Sequence, residues 1–259
     1  MKPLLAIRST RSLYFAKAHY PSAIQISRSE IKIPQVPSYL FVLFVVNLFM
    51  DSFKSYYFPA LLHPRRTFDL LMTDSRRLRY GLLALLINAI LYTFVYIFLT
   101  IGHGAPDAIP PWLNIPKDVY YSYDRFILAP SMFGAAILSA GLAHLLSKLF
   151  GGGGSFEDTL SAFGFAIGLP SLFSLLHDLP DTFLGAVGLL DVRWYETALN
   201  SPTIWRTILW TCYGLSFLFF FILFPKAVGA SQRLRPIPAI LVGVLAYLLY
   251  QFVFLIFNR

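Results

Sequence analysis

From Gly81 onward the apolar residues run in long blocks, and polar positions are gathered into short stretches between them instead of recurring with an amphipathic period. A helix needs about 20 apolar residues to cross a bilayer. Five blocks approach or reach that length, at about 81–101, 126–150, 159–176, 203–224 and 237–257. The pattern predicts an all-α polytopic membrane bundle of five transmembrane helices. Tyr39 to Met50, YLFVLFVVNLFM, is too short to cross before Asp51 and Lys54 interrupt it, and burying those charges would be costly. It is expected in the interface or packed on the bundle. Phe183 to Leu190 is also too short, which predicts an interfacial or re-entrant piece.

The connection between the second and third blocks carries the strongest local signal. In HLLSKLFGGGGSFEDTLSAFGFAIGLP, His144 to Pro170, the run Gly151, Gly152, Gly153, Gly154 can end one helix in the left-handed conformation. Ser155 is then placed as the N-cap of the next helix, with Asp158 at its third position and Glu157 and Asp158 at its positive end. This predicts a tight hinge between antiparallel helices. A phosphate-binding loop would need a lysine after the glycines, where this chain has Ser155, Phe156 and two acids.

Small residues mark helix faces that can approach closely in lipid. The second block has Gly134 and Gly141 among alanines and Ser139, and the third has Ala162, Gly164, Ala166 and Gly168, including a GxxxG. With a tight turn between them, the two small faces are expected to pack on each other. Pro170 is expected to break or kink the third span.

Ahead of the first span, Pro64 to Gly81 combines Phe68, Leu70, Leu71 and Met72 with Arg65, Arg66, Arg76, Arg77 and Arg79. It reads as an amphipathic helix lying on the membrane, arginines against lipid headgroups, with partner docking as the alternative. The chain thus divides into a basic tail (1–36), an interfacial region (37–80) and a membrane domain (81–259).

Composition sharpens this picture. The chain is 57% hydrophobic and 13% charged, far from the roughly 25% charged residues of soluble domains. Its net charge of +8 resides in residues 1–80, where twelve Lys and Arg face four acids. That placement is the basic flank of a first span and not a nucleic-acid surface. With Lys148 and the loop of Lys226, Arg233 and Arg235 on the same side, the N-terminus is expected in the cytosol; Asp107, Asp118, Asp124, Asp178, Asp181, Asp191 and Glu196 fall opposite. Met1 to Ser29 has basic residues and no acid, open to reading as a targeting segment, a disordered tail or an extension ahead of a start at Met50. Cys212 lies inside a span and is expected to be packing.

Candidate chemistry is sparse. His177, Asp178 and Asp181 are weak metal candidates, since no HExxH-type spacing is present and the acids also fit a helix end. His144 and Asn88 are polar groups within spans, suited to interhelical hydrogen bonding or to lining a path. Aromatics at Tyr56, Tyr57, Trp112, Tyr120, Tyr121, Tyr123, Trp194 and Tyr195 suggest interface belts. No nucleophile elbow, Walker motif or haem-binding pattern occurs. The expectation is no enzyme and no cofactor.

HPRRTF at His63 to Phe68, the glycine turn with its following proline-bearing span, and KAVGASQRLRPIPAIL after the fourth span occur in an order and spacing that resembles the Yip domain family of Ypt/Rab-interacting membrane proteins, over residues 50–259. The resemblance implies a multispanning protein that binds other membrane proteins. Eukaryotic relatives act in the early secretory pathway with small GTPases. This chain lacks their long acidic or proline-rich N-terminal region, so it resembles a prokaryotic-type member of the inner membrane, with an organelle membrane as the alternative. The functional expectation is a scaffold or adaptor whose partners are membrane lipids and a membrane protein or second copy; a small-solute or ion transporter using a broken third span is the alternative.

Overall fold

The computed structural model describes residues 52–104 and 115–257. The basic tail, the apolar segment 39–50 and the Asp107 and Trp112 loop of the preceding analysis lie outside them. Residues 52–57 form a short helix (α1), followed by α2 (Pro59–Leu62), α3 (Pro64–Thr73), α4 (Arg77–Ile101), α5 (Tyr120–Leu149), α6 (Phe156–Ala186), α7 (Val192–Asn200), α8 (Ile204–Gln232) and α9 (Pro236–Phe257). Five of these, α4, α5, α6, α8 and α9, are long and apolar enough to cross a membrane.

The central element is α6, most of whose apolar stretch is buried inside the bundle, whereas α4, α8 and α9 turn most of theirs outward. It packs chiefly on α4 and α8, while α5 leans on α9 and α4. Its start is fixed locally: the Ser155 hydroxyl accepts from the Asp158 backbone N–H at 3.1 Å, and the Ser155 N–H donates to the Asp158 carboxylate at 3.0 Å. These bonds satisfy two of the donors that a helix start leaves open.

Three features differ from the sequence reading. First, α6 is not broken at Pro170. It runs through Pro170 and Pro180 to Ala186, absorbing part of the segment expected to be re-entrant. Proline deletes one intrahelical bond, here the one to the Ala166 carbonyl; beside it Ser171 Oγ donates to the Ile167 carbonyl at 2.8 Å and Ser174 Oγ to the Ser171 carbonyl at 3.0 Å. Buried neighbours on α4 and α8 supply the remaining restraint.

Second, the GxxxG face of α6 meets α4, not α5. A methyl group built on Gly164 would lie 1.9 Å from the Gly81 carbonyl oxygen, one on Gly168 2.9 Å from that of Ala84, and one on Gly81 2.4 Å from that of Ser161. Backbones at such a crossing touch only where Cβ is missing. By contrast, Gly134 and Gly141 of α5 have open space where a Cβ would stand. The glycine turn brings α5 and α6 together at one end, but the small face of α6 is rotated toward the first span.

Third, the arginines do not share one surface helix. The chain bends after Thr73, so Arg65 and Arg66 are exposed on α3, while Arg77 and Arg79 open α4. Arg77 Nε pairs with the Asp158 carboxylate, and Arg76 sits between Asp74, at 3.6 Å, and the face of the Tyr80 ring. Arg77 is therefore a link between the first and third spans and not a lipid contact. The apolar side of α3, Phe68 and Leu71, is buried, with α3 lying against α8. Several expected belt aromatics are likewise core: Tyr57 stacks on Phe53 at 4.9 Å and meets Phe165, and Tyr120 is fully buried.

Candidate functional site

Polar groups concentrate at the two ends of α6. At the end bearing the glycine turn, Gly151 has φ +76°, the left-handed conformation that closes α5. Gly154 is needed for a different reason, since a Cβ there would fall 1.8 Å from the Ser231 carbonyl oxygen of α8. The turn is docked on the last carbonyls of α8: the Gly153 N–H donates to the Gln232 carbonyl at 3.1 Å. Lys148 Nζ closes it from the other side, donating to the carbonyls of Gly152 at 3.2 Å and Gly154 at 3.1 Å. Fully buried Gln232 joins three helices, its amide nitrogen lying 2.6 Å from Thr159 Oγ1, 3.1 Å from the Ser155 carbonyl and 3.1 Å from His144 Nδ1. His144 is thus one member of an interhelical knot. Just outside the spans, Asp74 feels burial, which raises its pKa, but hydrogen bonds from the Arg76 N–H and the Tyr56 hydroxyl outweigh it and hold the carboxyl below its ordinary value.

Asn88 lies midway along α4, fully buried, its amide nitrogen 3.6 Å from the Met132 sulfur of α5. Neither Asn88 nor His144 borders the cavities described below.

At the opposite end, α6 carries His177, Asp178 and Asp181 into a network with α7 and α8. His177 Nδ1 is 3.0 Å from Asp178 Oδ1 and 3.8 Å from Asp181 Oδ2; His177 Nε2 is 2.9 Å from the Tyr195 hydroxyl of α7. The Tyr213 hydroxyl of α8 donates to Asp178 Oδ2 at 2.9 Å. Burial pushes the Tyr195 hydroxyl pKa up, with the Asp181 and Asp178 charges adding to it, so this phenol stays a proton donor. Both imidazole nitrogens are thus engaged, Nδ1 with Asp178 and Nε2 with Tyr195. Two cavities of about 120 Å³ each flank the network. One is bordered by Asp181 and Tyr195, the other by Tyr92, Ser174, Tyr213, Ser216, Tyr250 and Gln251.

His177, Asp178 and Asp181 are therefore neighbours, but both imidazole nitrogens are engaged. Among the described residues no group of three His, Cys, Asp or Glu is arranged to hold a metal ion. Sequence reasoning missed Tyr195 and Tyr213 as partners of this cluster, because they come from other elements. It also placed Asp124 in a connecting loop; the residue is in α5 and fully buried. The signal was available, since Asp124 is four residues ahead of buried Leu128 on one helical face.

A five-span bundle with this capped glycine turn can be compared with known families, and a family model for the Yip1 domain matches residues 59–258. The chain belongs to the Yip1 domain family. No curated protein and no solved structure matches it. Within the Yip1 domain, the matched region takes in both polar ends of α6, the α4–α6 crossing and α3. The protein is an integral, multi-pass membrane protein in contact with lipid, and the Yip1 domain is not a family with a known enzymatic activity.

Proposed function

We propose that the protein is a non-enzymatic scaffold or adaptor, working through helix–helix and protein–protein contacts within the membrane in membrane organisation or trafficking. The observation that carries this reading is α6: a continuous helix held against α4 backbone to backbone and against α8 through the docked glycine turn, leaving a fixed body with wide apolar outer faces on α8 and α9. In lipid, association of such faces depends on packing and not on escape from water, so they are available to another membrane protein or a second copy. The transporter alternative was built on a third span broken at Pro170, and α6 is unbroken there.

The orientation that fits is the glycine-turn end in the cytosol, because Arg65, Arg66, Arg76, Arg77, Arg79, Lys148, Lys226, Arg233 and Arg235 gather at that end. Exposed Arg65, Arg66 and Arg79 then face lipid headgroups. Gentle extraction of the protein in native lipid, followed by identification of what co-purifies in stoichiometric amount, tests the reading. A reproducible membrane-protein partner or a defined homo-oligomer is expected; a monomer with no protein partner overturns the scaffold.

A further inference from the structure

Asp178 and Asp181 sit one helical turn apart, yet the network treats them differently. Asp178 receives the Nδ1–H of His177 on one oxygen and the Tyr213 hydroxyl on the other. Asp181 comes no nearer to His177 than 3.8 Å, and its Oδ1 is buried without a hydrogen-bond partner. A buried carboxyl left so is costly unless it takes up a proton or meets something positive.

The same Asp181 borders a cavity of about 120 Å³ whose other walls include Phe98, Leu99, Leu190, Tyr195 and Leu199. This volume is well below the roughly 300 Å³ at which drug-sized sites begin, so it suits a small group. The site has one carboxyl oxygen without a partner, a phenol ring and aliphatic walls, which together suit a cation carrying a short apolar stem. Depth adds a further constraint. Asp181 stands roughly 39 Å along α6 from the Ser155 cap, at 1.5 Å rise per residue, against a hydrocarbon core of about 30 Å. It therefore falls at headgroup level, and its side chain, 18% exposed, can be reached from there.

We propose that this cavity binds the ammonium group of a small organic amine, either free or carried as the headgroup of an aminophospholipid, with Asp181 as its counter-ion and Tyr195, Phe98 and Leu199 as its walls. The site is independent of the scaffold reading, since it needs no protein partner.

The test uses the full chain in phosphatidylcholine nanodiscs, with ethylammonium chloride as the probe and sodium chloride at equal ionic strength as the reference. A saturable rise in the thermal midpoint with ethylammonium is expected. Asp181→Asn should weaken the apparent affinity about tenfold or more, the loss of one charged hydrogen bond, whereas Asp118→Asn, an exposed acid that borders neither cavity, should behave as the parent. Leu199→Phe, which fills the cavity and keeps the carboxylate, should also abolish the response, so the proposal stays testable if Asp181→Asn does not fold. Nanodiscs containing phosphatidylethanolamine distinguish the sources. If they remove the ethylammonium response, the headgroup occupies the site; if they leave it unchanged, the ligand is a free amine. No saturable response beyond sodium, or an unchanged response in Asp181→Asn or Leu199→Phe, overturns the proposal.

Discussion

The two ends of α6 are held by opposite means. Near the glycine turn the helix meets its neighbours through bare backbone, at Gly81 with Gly164 and at Gly154 with Ser231, leaving no room for even a methyl group. Near His177 it meets them through the tips of long polar side chains, Tyr195, Tyr213 and Tyr92, with cavities between them. Backbone contact is short-ranged and intolerant, and it fixes distances to a fraction of an ångström. Side-chain contact spans a gap, tolerates adjustment and leaves volume that something else can fill. One helix thus has an end suited to positioning and an end suited to binding.

The contrast can be broken most sharply at the crossing. Gly164→Leu should destabilise by about 3 kcal/mol or more, or abolish folded protein, because overpacking against backbone has no cheap relaxation. Gly134→Leu on α5, with open space at its Cβ, should stay within about 0.5 kcal/mol. Thermal unfolding of both variants in the same detergent checks the pair, and equal losses would contradict the assignment of the crossing to α4 and α6. Next in size, Gln232→Leu should cost about 1–3 kcal/mol, since it removes the buried amide nitrogen that ties Thr159, the Ser155 carbonyl and His144 to α8 and leaves His144 Nδ1 without that partner. At the other end Tyr195→Phe removes a single bond to His177 and should cost about 1 kcal/mol, at the low end of the Gln232→Leu range.

Smaller effects sharpen the comparison further. Arg77→Gln should lose less than about 1 kcal/mol, because the pair with Asp158 is part-exposed and screened. The smallest effect is a pH dependence. Asp74 has a folded pKa below its unfolded one, so its contribution is present above the ordinary carboxylate range and lost as pH falls through the folded value. Asp74→Asn should flatten that acid limb slightly, and an unchanged profile there would refute it.

What could be read from the sequence follows the same division. The Ser155 to Asp158 cap was legible because both partners lie within four residues, and five spans were legible because the bilayer sets a minimum apolar length. The α4–α6 crossing was not. Gly164 and Gly168 announce that some helix comes close, but nothing local says which one, and the short turn to α5 suggested the wrong neighbour. Continuity through Pro170 was missed because proline's cost is local, whereas the packing that overrides it comes from α4 and α8. The His177 cluster was visible only as HDLPD; its partners on α7 and α8 are supplied by the fold.

The seating of the glycine turn on α8 also bears on the order in which the chain is made. Gly153 donates to a carbonyl of Gln232, and Gly154 rests on that of Ser231, residues that leave the ribosome long after the turn itself. The hairpin of α5 and α6 can enter the membrane early, but its loop has no seat until the fourth span has been synthesised and placed. Assembly of this membrane domain therefore finishes from its C-terminal half, and a nascent chain halted before Gln232 would present an unanchored hairpin to the quality-control machinery of the membrane.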